Sequence, residues 1–296
     1  MIDERKKAHQ TGPSEEWVQV DGLKVRFQRS GSGPALLLVH GLLGYSFSWR
    51  FVIPQLAQGR EIFALDMPGS GFSDCDAGLD CHLKSAAQRL LKFMDAVGIA
   101  ACDLVGSSYG GATALMAVAL APARIRTLVL VSPANPWSNI GRKRLSLLNL
   151  PLMSSIFPRA ARVCTPLNAF SLSRMFGDSR RMPADTIRGY SLVLARPGVL
   201  EHAVKIVRTW HTDMRELEAA LPKIADIPVL LLWGSKDRVV DPGSAELLRR
   251  RLHMAQMAII PGAGHLPYEE SPEEFSGIVL DFLAQHSPAG SEREVT

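Results

Sequence analysis

Several scarcities narrow the class of this chain. Its four cysteines in 296 residues (Cys75, Cys81, Cys102, Cys164) form no Cys-x-x-Cys pair and no zinc-like spacing, so neither a metal knuckle nor a disulfide framework is indicated. Aromatic residues are 7% and charged residues 21% of the chain, against 47% apolar, which is enough for a real core and excludes disorder as the main state. No apolar run approaches the roughly 18 residues that a membrane-spanning helix needs; the strongest are 35–39 and 112–121. The first residues, 1–16, mix both charge signs and lack the apolar stretch and small-residue cleavage site of a secretory signal, so the expectation is a soluble, cytoplasmic protein. No His-Glu-x-x-His or other metal-ligand spacing occurs, and Gly31-Ser-Gly33 and Gly69-Ser-Gly71 both lack the third glycine of a dinucleotide fingerprint. There is no Walker lysine motif either, so no metal and no cofactor is implied.

Charge of one sign is also scarce overall: 33 Lys and Arg stand against 29 Asp and Glu, a net +4 that does not argue for nucleic acid. The distribution is uneven. Residues 139–181 hold eight cations (Arg142, Lys143, Arg144, Arg159, Arg162, Arg174, Arg180, Arg181) and one acid, Asp178.

What the chain does have is alternation of short β-branched or leucine-rich runs with helical patterns. Eight candidate strands fall at 17–20, 23–28, 35–39, 61–65, 103–105, 127–131, 229–233 and 257–260. Asp21-Gly22 between the first two favours a hairpin, while the later runs are nearly continuously apolar, as parallel strands covered on both faces are. Helical patterns lie at 47–56, 83–97, 109–120, 243–251 and 272–285. Right-handed crossovers would put helices on both faces of a mostly parallel sheet and the ligand site outside its carboxyl edge.

From 135 to about 221 the alternation stops and apolar, basic helical patches appear, broken by Pro151, Pro158, Pro166, Pro183 and Pro197. So long a stretch is read as a helical cap inserted into one core: 1–134 and 222–296 form the core, 135–221 the cap. Its early part is strongly apolar (Leu145, Leu147, Leu148, Leu150, Met153, Phe157), which suits either an acyl pocket or packing onto the core. The tail 287–296 is small and polar and is expected to fray.

The chemistry-bearing motif is Gly106-Ser107-Ser108-Tyr109-Gly110, placed between an apolar strand and a helix. A sharp strand-to-helix turn needs neighbours without bulk, and it lifts the central Ser108 above the sheet edge, where the helix N-terminus favours a developing oxyanion. A bland alternative is that Ser108 only caps the helix. A serine hydroxyl needs a base, and the base an orienting acid. His265 lies in a glycine-rich turn after the last strand, and Asp237 lies just past the strand ending at Trp233, both at the same edge. The other histidines weighed against His265 sit near the chain ends (His9, His286) or on helical patterns (His202, His211, His253). Asp241 is the rival acid, better placed to cap the next helix beside Pro242. Glu269 and Glu270 are read as surface residues or as support behind His265.

His40-Gly41-Leu42-Leu43-Gly44, the run from Asp66 to Ser73, the Gly106–Gly111 elbow and the Asp237 and His265 loops together resemble the α/β-hydrolase fold family, in its cap-bearing esterase, lipase and C–C hydrolase branch. The resemblance implies an eight-stranded, mostly parallel sheet with helices on both faces and a helical cap. It implies Ser108, His265 and Asp237 as catalytic residues, the backbone N–H groups of Leu42 and Tyr109 as the oxyanion hole, and His40 and Asp66 as structural. Serine at the elbow departs from the dehalogenase and epoxide hydrolase branches, which attack with a carboxylate. The expected activity is hydrolysis of a hydrophobic carboxylic ester, the partner a small-molecule ester, with weak contact of the basic cap with an anionic membrane surface as a further expectation. C–C hydrolysis of a vinylogous diketone, acyl transfer, and a non-catalytic receptor that keeps the fold remain the alternatives.

Overall fold

The computed structural model describes residues 12–138, 165–224 and 226–287. The early cap residues 145–157, the cations Arg142, Lys143, Arg144, Arg159 and Arg162, Cys164, His9 and the tail beyond 287 lie outside these. Strand β1 (Ser14–Val20) alternates half-buried and exposed residues and turns at Asp21-Gly22 into β2 (Leu23–Ser30). Both turn residues have positive φ, 51° and 78°, the twist a two-residue hairpin needs, and Val20 pairs with Leu23 across it.

The buried apolar runs become β3 (Ala35–Val39), β4 (Glu61–Leu65), β5 (Cys102–Ser107), β6 (Ile125–Val131), β7 (Val229–Gly234) and β8 (Ala255–Ile260). They form one sheet in the order β1-β2-β4-β3-β5-β6-β7-β8, antiparallel at the hairpin and between β2 and β4, parallel elsewhere. All eight expected strands are present, several one to three residues longer than the pattern suggested.

The 47–56 helical pattern is instead two short pieces, a 3-10 turn over Ser46–Trp49 and α1 (Ile53–Leu56), with Pro54 inside the first turn of α1. The helices that cover the sheet are α2 (Leu83–Ala96) and α3 (Tyr109–Leu120) on one face. Between β6 and β7, the described part of the inserted stretch contains α4 (Thr165–Ser173), α5 (Thr186–Leu194) and α6 (Val199–Ala220). The chain then returns through α7 (Gly243–Arg249), α8 (Pro267–Glu270) and α9 (Pro272–His286), the last packing against the opposite face with α1. His253, expected on a helix, lies in the turn after α7.

Two apolar clusters, one on each face, hold the sheet between them. At the amino edge the buried Asp103 accepts from Arg60, Arg126, Thr127 and Ser287. Ser287 is therefore anchored rather than frayed, because its hydroxyl completes the shell of a buried carboxylate.

Candidate active site

Ser108 follows β5 and precedes α3 with φ 52° and ψ −117°, a backbone state that costs a side-chain-bearing residue about 1–3 kcal/mol. The surroundings over-determine it. Ser108 N–H donates to Val131 O at 2.9 Å, and its carbonyl accepts from Gly111, Ala112 and Ala134. The glycines are needed for closeness: a Cβ on Gly106 would lie 2.5 Å from Gly110 O, and one on Gly110 would lie 2.4 Å from both Val39 O and His40 O. The helical cap alternative for Ser108 does not hold, because its hydroxyl makes no capping hydrogen bond to α3. Neighbouring Ser107 is fully buried in β5, with its hydroxyl 3.3 Å from Tyr268 OH.

His265 and Asp237 meet although 28 residues separate them. Nδ1 of His265 donates to Asp237 Oδ2 at 2.8 Å, and Oδ1 accepts from the N–H groups of Val239 and Val240 at 2.7 and 3.0 Å. Burial by itself would raise the Asp237 carboxyl, but His265 and the Val239 N–H outweigh it and hold the group below the usual carboxylate range. With Nδ1 donating, the neutral imidazole presents Nε2 as an acceptor. Asp241, the rival, is exposed and spends Oδ1 on Gly243 N–H at the start of α7.

Leu42 and Tyr109, the expected oxyanion donors, both line the cavity that holds Ser108 and His265. Tyr109 opens α3, so its N–H has no intrahelical acceptor. Leu42 sits in a turn closed by Gly44 N–H to Gly41 O at 3.0 Å, with Leu43 at φ 63°. His40 lies under this turn: its Nδ1 donates to Gly41 O at 2.8 Å while Nε2 accepts from Met67 N–H at 3.1 Å. Burial pulls its pKa down, which keeps it neutral and in that role. Asp66 is likewise structural, accepting from Ser46 N–H, Phe72 N–H and Arg26.

Glu269 and Glu270 are buried, not on the surface. Glu270 accepts from Gly264 N–H, one residue before His265, and from Gly177 and Asp178 N–H in the inserted stretch, at 2.9 to 3.1 Å. His265 N–H in turn donates to Met175 O at 2.6 Å. Glu269 accepts from Tyr190 OH and Thr186 and pairs with Arg50 at 3.1 Å. Its carboxyl is pushed up by burial in spite of these partners. Sequence reasoning missed Tyr190, Arg50 and the carbonyl of Met175 entirely, since no local spacing links them to the elbow. The pair of acids four and five residues after His265 was the one signal available.

The cavity has a volume of about 280 Å³. Leu172 of α4 and Met175 just after it, Ile187, Tyr190 and Leu194 of α5, and Val207 and Trp210 of α6 wall it opposite the elbow. No Lys or Arg lines it among the described residues. No group of three or more His, Cys, Asp or Glu among the described residues is arranged to hold a metal ion. No described helix is long and apolar enough to cross a membrane.

Residues 34–272 match the sequence pattern of the family described as alpha/beta hydrolase fold. A pimeloyl-[acyl-carrier protein] methyl ester esterase of Nitrosomonas europaea is 27% identical over 85% of this chain and 96% of its own. A 2-hydroxymuconate semialdehyde hydrolase of Pseudomonas sp. (strain CF600) is 26% identical over 90% of this chain and 93% of its own. The crystal structure of a membrane phospholipase A, a bacterial virulence factor, superposes with a TM-score of 0.76 at 28% identity, covering 94% of this chain and 88% of that one. Because the matched region runs from the start of β3 to the start of α9, through the elbow and both loops of the carboxyl edge, this chain belongs to the α/β-hydrolase fold family.

Proposed function

We propose that the protein is a serine hydrolase that cleaves a carboxylic ester with a hydrophobic acyl or aromatic part, without a cofactor. One observation carries this: Ser108, on a strained and glycine-bounded elbow, shares an apolar cavity with a histidine whose other nitrogen is held by a buried, ionised aspartate. Ser108 Oγ attacks the ester carbonyl while His265 Nε2 takes its proton. Asp237 fixes the tautomer and stabilises the imidazolium. The N–H groups of Leu42 and Tyr109 hold the tetrahedral oxyanion. His265 then gives the proton to the leaving alkoxide, an acyl-Ser108 ester remains, and a water deprotonated by His265 releases the acid.

The helices between β6 and β7 act as the cap, since they supply the wall that faces the elbow. Esterase and phospholipase names among the similar proteins support the ester reading, while the 2-hydroxymuconate semialdehyde hydrolase keeps C–C hydrolysis as the second reading.

A fluorophosphonate probe tests the assignment. It labels the wild type at Ser108, and Ser108→Ala abolishes labelling and lowers turnover of p-nitrophenyl esters by about 10⁴ to 10⁶-fold. Labelling at Ser107, or wild-type turnover by a folded Ser108→Ala protein, overturns it.

A further inference from the structure

A second concavity, of about 400 Å³, lies on the outside of the segment 172–177: Leu172 and Met175 line the apolar cavity, whereas Ser173, Arg174 and Phe176 line this one. Arg174 and Arg180 project from one wall, Lys236 and Arg238 from the other. The single acid lining it is Asp178, and it is already spent. Its two oxygens accept from Arg180 Nε and Nη2 at 2.9 and 2.6 Å, a fork that holds its carboxyl well below the usual range.

The other negative charges behind the wall are committed as well. Asp237 is bound to His265, and Glu270 takes three backbone N–H groups and lies 3.9 Å from Arg181. Arg174, Lys236 and Arg238 have no carboxylate partner among the described residues, and all three are exposed. Like charges gathered around one hollow repel, and an anion placed between them relieves that repulsion while taking forked hydrogen bonds from guanidinium and a point charge from ammonium.

We propose that this concavity binds a phosphate-type oxyanion, carried by a soluble phosphorylated molecule or by a lipid headgroup. The volume is within the range of small-ligand sites, large enough for the phosphate and the group that bears it. Phe170, four residues before Arg174 and 61% exposed, stands 5.9 Å from the Arg174 guanidinium, so an apolar anchor adjoins the charge. That residue separates the two sources, because a bilayer would engage its ring and a soluble phosphate would not.

The experiment is independent of turnover. Pyrophosphate is titrated into the wild type by calorimetry at about 0.01 M and about 0.15 M ionic strength, and phosphatidylcholine vesicles with and without phosphatidylglycerol are tested by co-sedimentation. A soluble source gives saturable pyrophosphate binding, weaker at the higher salt and reduced by about tenfold or more in K236A/R238A. A headgroup source gives vesicle binding only with phosphatidylglycerol, lost in K236A/R238A and in Phe170→Ser. The pair R174A/R180A, on the opposite wall, gives the same losses and serves if the first variant fails to fold. The proposal is overturned if the wild type binds neither probe, or if binding survives in both double variants.

Discussion

Asp237 and Asp241 sit on the same loop, yet only the first has its carboxylate taken into the protein. Asp237 holds His265 with one oxygen and two backbone N–H groups with the other, whereas the exposed Asp241 only closes a local turn by accepting from Gly243 N–H. Asp237→Asn is therefore expected to lower kcat by about 10⁴-fold, because the amide selects the wrong imidazole tautomer. Asp241→Asn is expected to cost little activity and at most about 1 kcal/mol of stability. Steady-state kinetics with a p-nitrophenyl ester on both variants checks this, and a larger loss at Asp241 would reverse the assignment. Since the Asp237 carboxyl is held below its ordinary value, its stabilising contribution is present above about pH 3.9 and is lost as pH falls through the lower folded value.

Element α8 is a single turn, but its last residue does the work of a clamp. Glu270 binds the chain before His265 to the 177–178 segment, and Met175 O takes the His265 N–H, so the histidine is placed jointly by the core and by the inserted stretch. Removing the carboxylate leaves three buried or half-buried N–H groups without an acceptor. Glu270→Ala should then lower kcat by about 10²-fold through misplacement of the imidazole, with a smaller change in KM. Glu270→Gln, which keeps one carbonyl oxygen, should recover part of the loss; equal losses in the two would argue that bulk rather than hydrogen bonding matters. At the elbow, Gly110→Ala must push a methyl into the carbonyls of Val39 and His40. Overpacking of that kind costs about 1–3 kcal/mol or more, read as a lower midpoint in urea unfolding. On the cavity wall, Val207→Phe should reduce kcat/KM for long-chain esters more than for acetate, measured across a chain-length series.

Across the whole molecule, two buried histidines tie stability to pH. Burial, reinforced by Arg89 and Lys205, pulls His202 down to about 4, and burial pulls His40 down as well. An unfolded histidine takes its proton near pH 6.5, so the unfolded state binds more protons below that value and stability falls on acidification. For His202 the window runs from about pH 6.5 to 4 and is worth about 3 kcal/mol in all. His82, raised by its hydrogen bond to Asp213, has the opposite sign, but it is half exposed and its share is screened. Urea unfolding followed between pH 7 and pH 4 should show this decline, and His202→Gln should flatten its slope by about one proton.

The eight strands, their hairpin, and the positions of Ser108, Asp237 and His265 along the chain were legible in the sequence because each depends on local pattern. Strand periodicity, the Asp-Gly turn and the small residues around Ser108 act within a few residues of one another. The single helix expected over 47–56 was not legible as two pieces, because Pro54 and the packing of Trp49 against Tyr268 act together only in the folded state. What the tertiary structure alone decided is which distant groups share one environment. Asp237 is ionised because His265 arrives from another loop, and Glu269 and Glu270 are buried because the inserted stretch closes over them. Electrostatic interactions and desolvation depend on distance and burial in space, and sequence spacing carries neither across loops that meet only when the sheet has formed.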